Sequence, residues 1–162
     1  MPRMDPADHL RRPWRVHALA AAEGLALHDV WEVDAQVPPS APFDRWVRAF
    51  RAERQGAVAR ALFGLRRATG WALRLDAKGS GLSPVYAEAE EQLFRLENRT
   101  VVAFMHLSLA DRRPRIAVYV RPKGVLGSTY MRLIDPFRRA VIYPGLLAAG
   151  ARAALRLDPG RG

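Results

Sequence analysis

The most restrictive feature of the chain is residues 98–147, NRTVVAFMHLSLADRRPRIAVYVRPKGVLGSTYMRLIDPFRRAVIYPGLL. Thr100 to Leu109 and Arg115 to Arg121 are strand-length runs rich in β-branched and aromatic residues, and Asp111 to Pro114 between them has turn composition. A link this short joins antiparallel strands, because parallel ones need a crossover of about a dozen residues or more. Alternation then sorts the first run into two faces. Val101, Ala103, Met105, Leu107 and Leu109 form a uniformly apolar side. Thr100, Val102, Phe104, His106 and Ser108 form a mixed side, as a cavity lining would. On the second run Arg115, Ala117, Tyr119 and Arg121 share a face. Gly124 and Gly127 bracket a loop, and Ser128 or Thr129 is placed to cap a helix in which Tyr130, Leu133, Ile134, Phe137 and Val141 repeat at helical spacing. Pro136 is expected to kink or restart that helix, and Pro144 to bend it again.

Upstream, Met1 to Pro13 holds three prolines and mixed charge and reads as a loose tail. Trp14 to Ala22 suits a short helix or an extended lead-in, and His28 to Asp34 a strand. The prolines of 36–42 mark a loop. Phe43, Trp46, Val47 and Phe50 fall on one helical face, and Val58, Leu62, Leu65 and Ala68 repeat the pattern after Gly56. Two helices, about 43–54 and 57–73, are expected. Residues 76–84 are turn-rich, 85–89 suit a short strand, and 91–97 can be helix or strand. Asn98-Arg99 reads as a tight turn. The expected architecture is a single α+β domain over 14–156, with an antiparallel sheet gripping a long C-terminal helix and a frayed end at 157–162. Between Asp76 and Arg121 there is room for about four strands of ordinary length.

Composition narrows the function classes. With no cysteine in the chain, disulfides, thiolate nucleophiles and Cys-ligated zinc are excluded. The net charge of +10 comes from arginine, since Lys78 and Lys123 are the only lysines, and it would attract anions. The arginines are scattered rather than gathered in one stripe, so a solvated basic surface is the simpler reading and no specific nucleic-acid partner is expected. No window reaches the roughly 18 consecutive apolar residues of a membrane span, and no secretory signal pattern is visible; a cytoplasmic location is therefore expected. His9, His17, His28 and His106 show no ligand spacing, and no phosphate-loop, nucleophile-elbow or dinucleotide fingerprint occurs, so no metal or cofactor is expected.

The motifs Asn98-Arg99-Thr100-Val101, His106-Leu107, Gly127-Ser128-Thr129-Tyr130-Met131, Pro136-Phe137-Arg138 and Tyr143-Pro144 resemble the bacterial domain-of-unknown-function family DUF twenty-eight sixty-seven. The resemblance extends to Pro13-Trp14-Arg15-Val16-His17, Asp29-Val30-Trp31 and residues 60–66, nearly the whole chain after the tail. It implies the START-like, polyketide-cyclase-like helix-grip superfamily, whose sheet wraps the last helix around a ligand cavity, and it brings no established activity. The full helix-grip topology uses six strands where this chain has room for about four. Arg139 stands where the family often has histidine, and Lys123 where it often has asparagine.

The residues leave three functions open. The first is binding of a small, mostly apolar or amphipathic ligand, with an anionic group if Arg121 and Arg138 engage it, in a cavity lined by Phe104, His106, Tyr119, Arg121, Tyr130, Phe137 and Arg138. The second is a cyclase, dehydratase or isomerase using His106 as acid–base, with Glu90, Glu91 or Glu97 orienting its ring. The third is a binder of anionic surfaces, nucleic acid or lipid, through the arginine-rich helices. The competing reading of His106 is a core histidine satisfied by a hydrogen bond. Oligomeric state is not legible.

Overall fold

The structure, a computed structural model, describes residues 4–53 and 82–157. The expected helix at 57–73 lies outside the described residues. Two helices come first, α1 (Pro6–Leu10) and α2 (Arg15–Ala22), then strand β1 (Ala26–Glu32). After the proline loop α3 begins at residue 43 and is described through 53. Four strands come next: β2 (Ser83–Ala87), β3 (Glu91–Glu97), β4 (Val101–Ala110) and β5 (Arg113–Pro122). The C-terminal helix is α4 (Gly124–Phe137), a π-helical turn (Arg138–Ile142) and α5 (Tyr143–Leu155). The sheet is antiparallel throughout with order β1-β5-β4-β3-β2. This is the expected α+β class, with four strands among the described residues 82–122.

Hairpin geometry sets the register. Asp111 and Arg112 both have positive φ, 53° and 63°, and Ala110 pairs with Arg113. Two such residues between paired strands make the turn whose twist matches that of the strands. At the β3–β4 turn Asn98 uses its side chain rather than a left-handed backbone. Its Oδ1 accepts from the Thr100 and Val101 N–H groups and from the Thr100 hydroxyl.

Both faces of β4 are covered. Met105, Leu107 and Leu109, with Phe94 and Ile116, pack against Phe43, Trp46 and Phe50 of α3 and against Tyr143, Leu146 and Leu147 of α5. Phe104 on the opposite face joins Leu93, Ala117, Tyr119 and Val30 beneath Val16 and Ala20 of α2. The C-terminal helix therefore packs on the Leu107 face and the N-terminal helices on the His106 face. Residues expected as a loose tail include α1, whose His9 is fully buried. Asp5 caps α1 through Ala7 N–H, and Pro6 sits at its first position, where a missing N–H costs nothing.

Ser128 and Thr129 do not cap the last helix. It starts four residues earlier, and the Ser128 hydroxyl donates to the Gly124 carbonyl. Gly127, the only buried residue of α4, lets the helix cross the sheet end against the Thr100 carbonyl and Pro122, where a Cβ would collide. The helix runs through Pro136 and widens to π geometry before Pro144. Pro144 offers no N–H to the ladder and its ring crowds the carbonyl four residues back, which disfavours regular α geometry there.

At Gly150 α5 meets the core most closely. Its carbonyl accepts from the Trp46 indole N–H at 3.1 Å, and a Cβ would lie 2.9 Å from Val33 Cγ2. Gly150→Ala gains about 1 kcal/mol of helix propensity but forces a stiff valine in a packed core, an overpacking cost of about 1–3 kcal/mol. The expected net result is a loss of about 1 kcal/mol in urea unfolding with an unchanged m value.

Candidate functional site

The His106 face holds a buried polar cluster. His106 lies mid-β4 and Glu91 opens β3, with Ser108 as its cross-strand partner. The Nε2 of His106 is 2.8 Å from Glu91 Oε2, which also accepts from the Tyr86 hydroxyl at 2.7 Å. The Arg15 N–H, in the first turn of α2, donates to Glu91 Oε1. On β5 the Tyr119 hydroxyl bridges two histidines of the N-terminal segment, 3.1 Å from His9 Nε2 and 2.9 Å from His17 Nδ1. The His9 ring centroid is 5.4 Å from those of both His17 and His106, and Trp14 packs 5.7 Å from His106. Of the three glutamates near β3, Glu91 is the one that reaches His106.

The bonds constrain the protons. A carboxylate only accepts, so His106 carries its proton on Nε2 and presents a bare lone pair at Nδ1. Tyr119 has one hydroxyl proton and two imidazole neighbours, so it donates to one and accepts from the other. With both rings neutral, one of His9 Nδ1 and His17 Nε2 is an N–H and the other a lone pair. These three nitrogens, the Trp14 indole N–H and Ser108 Oγ are buried without a hydrogen-bond partner among the described residues.

Electrostatics favour the charged form of Glu91 and the neutral forms of His9, His106, Tyr119 and Tyr86. Burial opposes the carboxylate, but the bonds from His106, Tyr86 and the Arg15 N–H together hold its carboxyl below the usual range. Burial, with His106, His17 and Arg115 nearby, pushes His9 down to about 3 against a small opposing pull from Glu91. Burial also lowers His106, more than the Glu91 bond raises it. Burial, reinforced by Glu91, pushes the Tyr119 and Tyr86 hydroxyls up.

A second polar group lies on the other face. The β1–β5 register shifts between Leu27 and Asp29, so His28 bulges and both His28 and Asp29 reach the C-terminal helix. Arg138, at the start of the π turn, donates to Tyr143 at 3.0 Å and lies 3.4 Å from Asp29 Oδ2 and 3.5 Å from Asp135 Oδ1. His28 Nε2 is 3.1 Å from that Asp135 oxygen and 3.6 Å from that Asp29 oxygen. His28, Asp29 and Asp135 have donor atoms spaced for a metal ion. Arg138 already supplies the cation at the same two oxygens, so the group is a clamp between β1 and the last helix.

The residues expected to line one cavity therefore separate. Phe104, His106 and Tyr119 lie under the N-terminal helices. Arg138 is in the clamp on the opposite face, Tyr130 and Phe137 are half-buried on α4, and Arg121 is exposed at the end of β5. A strand's faces alternate, and the more uniformly apolar face of β4 took the C-terminal helix. Two open grooves border the loop of Pro39 and Arg112, and neither is lined by any of these residues. His9, His17, Trp14 and Tyr86 do not stand out as site residues in the sequence. The Asp5-Pro6 pair is the signal that marks a helix around His9.

Two outcomes are expected. An opened chain binds a proton at His9 as pH falls below 6.5, which the closed form refuses until about 3. The closed state is thus fully stable above that window and loses about 1.4 kcal/mol per pH unit within it. Protection factors of the amides in residues 4–22, that is exchange corrected for the intrinsic slowing at low pH, should fall as the solution is acidified, and His9→Gln should flatten the response. In the clamp, Arg138→Met removes the guanidinium from buried Asp29 and should cost about 3 kcal/mol in denaturant unfolding, while leaving the exchange of α1 unchanged.

The family model described as "Protein of unknown function (DUF2867)" matches residues 21–145. It thus spans Glu91, His106, Tyr86, Tyr119 and Arg138, and begins after His9 and His17. Comparison with curated proteins and with solved structures gave no match. With most of its length covered by that model, including both strands of the central hairpin, the chain belongs to the DUF2867 family.

Proposed function

We propose that the chain binds a small, mostly apolar molecule on the His106 face, with the Glu91–His106 pair and the histidines around Tyr119 recognising its polar end. The observation that carries this reading is the set of five buried polar atoms on that face, on His9, Trp14, His17, His106 and Ser108, that have no protein partner among the described residues. Each such atom costs about 1–3 kcal/mol when buried unpaired, so native structures pair them with protein, water or ligand. Their chemistry is a mixture of N–H donors and bare lone pairs around an ionised carboxylate. That set favours a neutral molecule with both a donor and an acceptor. The apolar remainder would lie against Val30, Leu93, Phe104 and Ala117. An anionic end on the ligand would have only Arg121, exposed at the end of β5, to meet it on this face, since Arg138 lies on the other one and Arg115 is paired with Glu32.

Access would come through α1. Its five residues are held through the His9–Tyr119 bond, and the segment around them by one backbone bond from Met4 N–H to Val30 and by the Arg12–Asp111 pair, which is largely exposed. Exposed pairs contribute about 0–1 kcal/mol. Helix α2 is fixed by buried Val16 and Ala20. Lifting residues 4–14 uncovers His9, Trp14 and His106 and frees the unpaired atoms to meet water or ligand.

A second reading is catalytic. Glu91 fixes the His106 tautomer with its lone pair at Nδ1, as a general base requires, and the lowered affinity of His106 for protons keeps that lone pair available. Protein isolated from its own host should carry a bound mass of small-molecule size in native mass spectrometry. Replacement of His106 by Phe should abolish it and Arg138→Lys should not. An adduct that survives the His106 change, or none in the wild type, contradicts the proposal. Once the molecule is known, turnover lost in Glu91→Gln with binding retained would favour the catalytic reading.

A further inference from the structure

The last helix leaves an apolar side uncovered. Val125, Leu126 and Leu133 of α4 are 84 %, 71 % and 76 % exposed. At 3.6 residues per turn they share the outward side with Thr129 and Pro136, and Arg132 and Arg139 run along one margin. The helix is held at its two ends, by Gly127 against the sheet and by Arg138 in the clamp, and buries no other residue. Large apolar side chains gathered on a protein surface mark an interaction site more often than chance exposure.

The charge around this side selects the partner. Arg99 in the β3–β4 turn, Arg121 at the end of β5 and Arg132 on α4 are exposed and have no hydrogen bond or ion pair among the described residues. Arg99 and Arg121 belong to the end of the sheet that α4 crosses, where Lys123 N–H bonds the Thr100 carbonyl, and Arg132 lies on α4 itself. The nearby acids are engaged, Glu97 by Lys123 and Arg95, and Asp135 by His28 and Arg139. The end thus combines unpaired guanidinium groups with an outward apolar stripe. We propose that this end of the molecule docks on an anionic lipid surface, with Val125, Leu126 and Leu133 entering the acyl boundary and the arginines meeting headgroup phosphates. A helix with an apolar side and basic flanks lies in a bilayer interface in this way. No described helix is long and apolar enough to cross the bilayer, so the attachment is peripheral. A two-fold contact between copies is disfavoured, because it would face the same unpaired guanidinium groups against each other. A nucleic-acid backbone would leave the leucines unburied.

Co-sedimentation of the full chain with phosphatidylglycerol and with phosphatidylcholine vesicles tests this. Binding is expected to the anionic vesicles and to weaken as salt is raised. It should fall by at least an order of magnitude both in Leu126→Ser/Leu133→Ser and in Arg99→Gln/Arg121→Gln/Arg132→Gln. All five positions are surface ones, so thermal melts should match the parent. No pelleting with anionic vesicles, or pelleting insensitive to the leucine changes, overturns the proposal. So does concentration-dependent dimerisation in sedimentation velocity that the leucine changes abolish, or binding to DNA that is stronger than to vesicles.

Discussion

The pairing of β4 with β5 fixes where every other element can sit. Ten consecutive pairs run from Val101–Pro122 to Ala110–Arg113, closed by a two-residue turn. A one-residue slip would exchange the two faces of one strand relative to the other. Here such a slip of β4 would put His106 into the main core and turn Leu107 toward the N-terminal helices. Because both faces are covered, register decides which side becomes the packed core and which holds the polar cluster.

The two faces have different physical characters. On the Leu107 face apolar residues from α3, α5 and the strands fill the space, and the polar groups at its margin are paired ions. Asp29, fully buried, has Arg138 as counter-charge, and a bulge rather than a regular strand delivers it. On the His106 face the charged groups are Glu91 and buried Arg115, which pairs with Glu32 at 3.1 Å, and several polar atoms meet no protein partner among the described residues. A structural network tends toward full satisfaction, since a half-satisfied one costs more than an apolar core. Five buried atoms without a protein partner among the described residues lie on this face, against the Trp31 indole N–H and Arg138 Nε on the other, and that difference supports placing ligand chemistry on the His106 side.

Much of the fold could be read from periodicity. The β4–β5 hairpin, the α3 face of Phe43, Trp46 and Phe50, and room for the four strands described between Ser83 and Pro122 come from alternation, helical spacing and length. The candidate site was legible only in part. His106 stood out because a histidine interrupts an apolar strand, and Glu91 because carboxylates flank the neighbouring one. The element that covers a face is not written in that face's own alternation, so the helix expected over His106 went to the other side. His9 was hidden because three prolines and mixed charge resemble a tail, whereas Asp5-Pro6 starts a helix. Arg138 was singled out for an anionic ligand, but its partners Asp29 and Asp135 are brought together by a bulge and a π turn that spacing does not announce.

Long-range proton–nitrogen correlation NMR of the four imidazoles reads the buried cluster without an intermediary. His106 should be protonated at Nε2 and bare at Nδ1, and His9 and His17 should share one tautomer, both Nδ1–H or both Nε2–H, because Tyr119 meets Nε2 of the first and Nδ1 of the second. His9 should also stay neutral as the solution is acidified well below the ordinary histidine range. A His106 protonated at Nδ1, or a His9 that titrates as a free imidazole does, would contradict the buried, tautomer-fixed cluster on which the proposed site stands.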